Sequence, residues 1–221
     1  MVADSRLKKE TFGTRIAVEL RKSILEGKIL PGSSIVESAL AEQFGVSRGP
    51  LREAIRELVD EGILVQVPFT GTRVIDLSVK DVQEIYSMRT ALETFAFELV
   101  WDQRNDDFFD EIHKRQKALD RAIDNGDEMV SILTELDLHS VVFEASHHSI
   151  LQHVWAGLRG RLQLYWSANH RAHGRKGPKR DAHDSYVAAA CGDSITALRT
   201  EIADHMQRGY EQTINYLSKN K

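Results

Sequence analysis

Gly45-Val46-Ser47-Arg48-Gly49-Pro50-Leu51-Arg52-Glu53-Ala54-Ile55-Arg56-Glu57-Leu58-Val59 is the stretch on which the fold turns. Gly45 ends the element before it, as a residue that takes a left-handed cap without a Cβ penalty. Ser47 is a good helix N-cap. Pro50 is tolerated in the first turn, where a missing amide has no helical partner to lose. Leu51, Ile55, Leu58 and Val59 then form a buried stripe at helical spacing. Arg48, Arg52 and Arg56 recur every four residues. At about 100° per residue they stay within roughly 80° of one another, beside the apolar stripe and away from Glu53 and Glu57.

Outward from this helix the pattern stays legible. Residues 11–26 carry Ile16, Ala17, Leu20 and Ile24 on one helical face, Gly27 ends the helix, and Pro31-Gly32 makes a turn. Glu37 to Phe44 is a second, short helix with Leu40 and Ala41 inward. After Gly62 the period shortens. Leu64–Val67 and Thr72–Ile75 read as strands, with Pro68-Phe69-Thr70-Gly71 as the hairpin turn between them. Helix, helix, tight turn, helix and hairpin make a winged helix-turn-helix over residues 1–76. In that geometry the helix opened by Ser47 enters the major groove of double-stranded DNA. Its arginines suit guanine edges or phosphates, and Gly71 lets the wing backbone come close to the sugar-phosphate chain. Taken alone, the arginine stripe reads equally well as a solvated, ion-paired helix face. The ordered set of cap, stripe, turn and wing favours DNA.

Beyond Asp76-Leu77-Ser78 the chain reads as all-helical, with helices near 79–104, 107–124, 127–146, 149–171, 180–191 and 194–218. Asn125-Gly126-Asp127 and Cys191-Gly192-Asp193 mark two breaks, Gly ending one helix and Asp capping the next. Residues 172–180 form a basic loop. The expected fold is thus mainly α: a winged unit, residues 1–76, followed by an antiparallel helical bundle, residues 77–221. The charge splits in the same place. Residues 1–76 hold eleven basic and eleven acidic side chains, and the remainder holds eighteen and twenty-two, which gives the net −4. A generally basic nucleic-acid coat is excluded. All nine histidines lie between His113 and His205, in the second part. With no run of about 18 apolar residues there is no membrane span. The polar segment Met1–Lys9 has no signal-peptide character, so a cytoplasmic protein is expected. Cys191 is alone, which leaves no disulfide framework and no cysteine zinc site.

Among the histidines, spacing selects a few. Glu135 and His139 are four apart and share a helix face. His183 and His205 flank the Gly192-Asp193 turn at offsets that differ by about 4.5 Å along an antiparallel hairpin. Three imidazoles and a carboxylate suit a divalent ion: zinc, nickel, iron or manganese. By spacing alone the same residues can be ordinary surface or core-edge histidines, as is expected of His113, His147, His148, His153, His170 and His173. Asp137, at i−2 from His139, points about 200° away from it. A rival reading, a helical metalloenzyme, draws on Glu144-x-x-His147. A ferritin-type site needs a second such fragment, which is missing, and an enzyme has no use for the Ser47–Arg56 face.

Gly27 to Val74 resembles the DNA-binding domain of the GntR family of bacterial transcription regulators, through Gly27, Pro31-Gly32, Glu37, Leu40-Ala41, Gly45-Val46-Ser47-Arg48, Pro50, Arg52-Glu53-Ala54, Leu58, Gly62, Gly71 and Val74. The resemblance implies that Ser47, Arg48, Gly49, Pro50 and Arg52 face DNA, with the wing glycine Gly71 in or near the minor groove. FadR-like relatives often carry an Arg where this chain has Ser38. Residues 79–218 resemble the FCD ligand-binding domain of FadR-type regulators. The matching pattern is Asp-x-x-Phe-His followed by two histidines 22 positions apart; it maps onto Glu135, Leu138, His139, His183 and His205, and Glu144–Leu151 follows the motif too. This resemblance implies a ligand-responsive regulator with a small carboxylate effector bound through a divalent metal, zinc foremost; because one recognition helix gives little specificity, a homodimer on a pseudo-palindromic operator is expected. Here Glu135 replaces the Asp ligand. Tyr86-Ser87-Met88-Arg89-Thr90-Ala91-Leu92-Glu93 resembles the Arg-x-x-Leu-Glu segment of the first FCD helix. Arg89 either meets an effector carboxylate or pairs with Glu93 one turn on.

Overall fold

The computed structural model describes residues 12–174 and 177–219. The segment Met1–Lys9, together with Arg175 and Lys176 of the basic loop, lies outside the described residues, and so does the side chain of His173. The chain divides into two compact units, Met1–Asp76 and Leu77–Lys221.

In the first unit α1 (Phe12–Leu25) packs on α3 (Arg48–Asp60) through Ile16, Ala17, Leu20, Leu51, Ile55 and Leu58, all buried. Gly13 is needed at this crossing: a Cβ there would lie 2.9 Å from Glu53 Oε2. The short α2 (Glu37–Phe44) ends at Gly45, whose φ of 63° is the left-handed cap expected of it. Ser47 caps α3 with extended backbone, but its hydroxyl makes no capping hydrogen bond. The wing is β2 (Leu64–Val67) and β3 (Gly71–Val74), paired antiparallel with Val67 opposite Gly71. Its turn forces Phe69 to φ 65° and leaves that side chain fully exposed. A third strand, β1 (Ser34–Ile35), pairs with β3 and gives the order β1-β3-β2. Two residues are too short to show alternation, so sequence periodicity did not reveal it.

The second unit contains α4 (Val79–Val100), α5 (Asp106–Asn125), α6 (Glu128–Ala145), α7 (Ser149–His173), α8 (Asp184–Cys191) and α9 (Ile195–Lys219). The central helix is α6, buried nearly all round, while α5 is amphipathic and covers it. Three differences from the sequence expectation have a visible physical cause. α4 stops at Val100, followed by a 3-10 turn, because Arg104 folds back. Its guanidinium lies 3.3 Å from the Trp101 ring and donates to the carbonyls of Ala190 and Gly192. α8 begins at Asp184 rather than 180. Arg180 is instead drawn to Asp120 and Asp124 of α5, and Gly177, at φ 142°, packs against Ser131. His183 therefore sits at the N-cap of α8 and not inside a helix. Finally, Ser194 rather than Asp193 caps α9, accepting from Ala197 N.

Candidate functional site

His139, His183 and His205 come from three different places: mid-α6, the loop end before α8, and mid-α9. Packing brings them together. One ligand nitrogen from each lies within 4.8 Å of the other two, and the ring centroids are 4.8 to 5.3 Å apart. All three are buried. Burial, with Arg89 and the neighbouring imidazoles, holds His139 and His205 well below the usual histidine range. Both are neutral at pH 7, the state in which an imidazole ligates a metal. His139 Nε2 and His183 Nε2 are buried without a hydrogen-bond partner. Orphaned imidazole nitrogens converging in a polar pocket are the donor set a divalent ion takes. Glu135 borders the triad, with Oε1 3.4 Å from His183 Nε2, a contact of ion-pair distance but not a hydrogen bond. Asp137 lies elsewhere, on the surface, paired with Arg159 at 2.6 Å.

A cavity of about 310 Å³ opens beside the triad, lined by Arg89, Glu135, Trp166, His183 and His205 among others. Arg89 is 2% exposed. Its Nε donates to Glu93 Oε2 at 3.3 Å, and its guanidinium carbon is 5.8 and 5.5 Å from the Trp155 and Trp166 rings. Its Nη2 has no hydrogen-bond partner. The i,i+4 pair with Glu93 therefore exists and leaves Nη2 over. A buried cation with a spare N–H on a cavity wall suits a carboxylate.

Several site residues were not found in the sequence. His170 is buried and lines the cavity rather than sitting at the surface, as does Asn169. Tyr86, at the wall, accepts from Trp166 Nε1 and bonds Thr213. Glu93 and Tyr186 lie behind His139. Tyr86 belongs to α4 and Tyr186 to α8, and only the packing of those helices reveals them. Among the other described histidines the expectation holds: His113, His147 and His153 are exposed, and His148 caps α7 by accepting from Leu151 N.

In the winged unit Ser47, Arg48, Gly49, Arg52 and Arg56 are exposed on α3, with Pro50 half-buried. Arg52 is held by Glu37 of α2, Nε to Oε2 at 2.8 Å. Arg21 of α1 takes Glu57 and Glu61, which keeps those acids off the arginine face. Nothing lies within 4 Å of a Cβ built at Gly49 or at Gly71, whose φ is 90°. Close approach of another molecule is therefore open at both.

Residues 12–74 match the family of bacterial regulatory proteins known as the gntR family, and residues 84–208 match the FCD domain. The HTH-type transcriptional regulator YdhC of Bacillus subtilis (strain 168) is 35% identical over 159 residues, covering 70% of this chain and 71% of that one. The chain belongs to the GntR family. The gluconate operon transcriptional repressor of Bacillus licheniformis is 28% identical over 214 residues, 95% of this chain and 84% of the repressor. Among solved structures, McbR/YncC of Escherichia coli superposes with a TM-score of 0.75 at 22% identity, over 93% of this chain and 98% of that one, and shares the fold. As a GntR regulator with an FCD domain, this is a DNA-binding transcription regulator, and the relatives are named regulators and repressors rather than enzymes. Among the described residues no helix is long and apolar enough to cross a membrane.

Proposed function

We propose that this GntR regulator is a cytoplasmic repressor that binds a pseudo-palindromic operator as a homodimer and releases it in response to a small carboxylate. Ser47, Arg48, Gly49, Pro50, Arg52 and Arg56 on α3 read the major groove, and Gly71 lets the wing meet the backbone. In the helical unit His139, His183 and His205 hold one divalent metal, with Glu135 as the carboxylate ligand. Such an ion supplies Lewis-acid positions that an effector carboxylate can fill. Arg89 pairs with the effector through its spare N–H. Zinc is the first choice, with nickel, manganese and iron also suited to imidazole and carboxylate. Two relatives are named gluconate operon repressors. A hydroxylated carboxylate fits a cavity walled by Arg89, Asn169 and Gln212.

The observation that carries this reading is the triad itself: three buried imidazoles, two of them with orphaned Nε2 atoms, beside a cavity that also holds a buried arginine. Metal content after exposure to zinc, nickel and manganese is the test. Wild type is expected to hold one ion per chain, His183→Ala to lose it, and His147→Ala to keep it. A metal-free wild type, or equal loss in the two variants, defeats the assignment.

A further inference from the structure

Glu93 is the most enclosed acidic side chain near the triad, with no exposed surface. Three donors converge on it from three helices. Arg89 Nε on α4 reaches Oε2 at 3.3 Å. Tyr186 on α8 donates its hydroxyl to Oε1. His139 Nδ1 on α6 lies 2.7 Å from the same Oε1. Since Oε1 takes the tyrosine proton and Oε2 an arginine N–H, both oxygens act as acceptors. A carboxylate used in this way has nothing to donate. The proton between His139 and Glu93 therefore sits on Nδ1. Nε2 is left as the lone-pair nitrogen, and it is the one buried without a partner beside His183 and His205.

We infer that Glu93 is the positioning residue of this centre, fixing the tautomer and ring orientation of His139 so that Nε2 is presented as a metal ligand. The inference rests on the reading of the triad as a metal centre. It goes further by assigning a role to a residue that touches neither metal nor effector. Histidine ligands generally donate their second ring N–H to a carboxylate or carbonyl, and losing that partner costs about 10–100-fold in metal affinity. Arg89, donating to Oε2, holds Glu93 as an acceptor whether or not the tyrosine is present. A glutamine cannot take over. If its amide nitrogen faces Arg89, donor meets donor; if it faces His139, it competes for the Nδ1 position and favours the tautomer with the proton on Nε2.

The test uses the full-length protein and zinc alone, titrated in competition with a chelating indicator. Glu93→Gln is expected to weaken zinc binding by about 10–100-fold. Tyr186→Phe removes a neighbouring hydrogen bond but leaves the Glu93–His139 contact, and is expected to bind close to wild type. A folded Glu93→Gln variant with wild-type affinity overturns the inference, as does a Tyr186→Phe variant that loses as much as Glu93→Gln, since that outcome means simple loosening of the core. Nitrogen-15 spectra of the histidine rings in metal-free wild type provide a second readout that needs no variant. His139 is expected to carry its proton on Nδ1; a proton on Nε2 overturns the inference even where Glu93→Gln fails to fold. A wild type that binds no metal defeats the metal reading, while the ring spectrum still decides whether Glu93 sets the tautomer.

Discussion

Arg48 and Arg52 stand in the first turns of α3, where groove-reading side chains belong. They are not equivalent. Arg52 is already paired with Glu37, so its guanidinium is held in place before DNA arrives. Replacing either by Ala is expected to cost about 1–3 kcal/mol of specific binding. Titration of each variant against operator and random DNA at fixed salt measures this. Discrimination unchanged in both variants removes the groove-reading role of α3. At this scale the sequence was a good guide to which side chains share a face, wherever that rests on local spacing. The arginines at intervals of four, the Glu135–His139 pair and the 22-residue step from His183 to His205 are all visible in one dimension. Glu93 was visible only as a partner of Arg89. Its contacts to His139 and Tyr186 join positions 46 and 93 residues away, which no local pattern encodes.

Elements were legible where they bury an amphipathic face or end on a capping residue. Thus α1, α3, α5 and the wing follow from period and turn chemistry, while β1 and the late start of α8 depend on pairing with distant segments. That late start matters, because it places His183 on the loop end that meets α6 and α9. The junction has a pH consequence. His139 and His205 are held neutral chiefly by burial, with folded values well below 6.5. Unfolded, each protonates near pH 6.5. Above that pH neither affects stability. As pH falls through 6.5 toward the folded values, the unfolded chain binds protons that the folded one refuses, and stability declines. Each histidine contributes at most about 1.4 kcal/mol per pH unit in that window. All three tryptophans, Trp101, Trp155 and Trp166, lie in the helical unit, so their fluorescence reports its unfolding alone. Urea midpoints of metal-free protein are expected to fall between pH 7 and 5, and less steeply in His205→Gln. An identical slope in wild type and variant contradicts the assignment.

For the whole molecule, the proposed binding to a pseudo-palindromic operator requires two-fold symmetry. One chain offers one arginine helix, and a single module gives little specificity, so a pseudo-palindromic site needs a second copy. The helical unit carries a surface suited to this. Met88 and Phe95 on α4 and Ile150 and Val154 on α7 are large apolar side chains 40 to 70% exposed, and α4 and α7 are packed neighbours. Phe95 lies against His148 at the start of α7, which joins the two stripes into one face. In the proposed homodimer this apolar face would meet its copy about a two-fold axis, α4 and α7 of one chain against those of the other. Ile150 is 70% exposed, so Ile150→Glu should leave the monomer's core intact. In a dimer it places two new charges in one apolar interface, where burying an unpaired charge is costly. Sedimentation is expected to show wild type as a dimer and Ile150→Glu as a monomer at the same concentration. Operator affinity should fall with it, while the weak binding to random DNA, which one head can supply, changes less. An Ile150→Glu protein that remains dimeric and holds operator as wild type does would place the two-fold contact on another face.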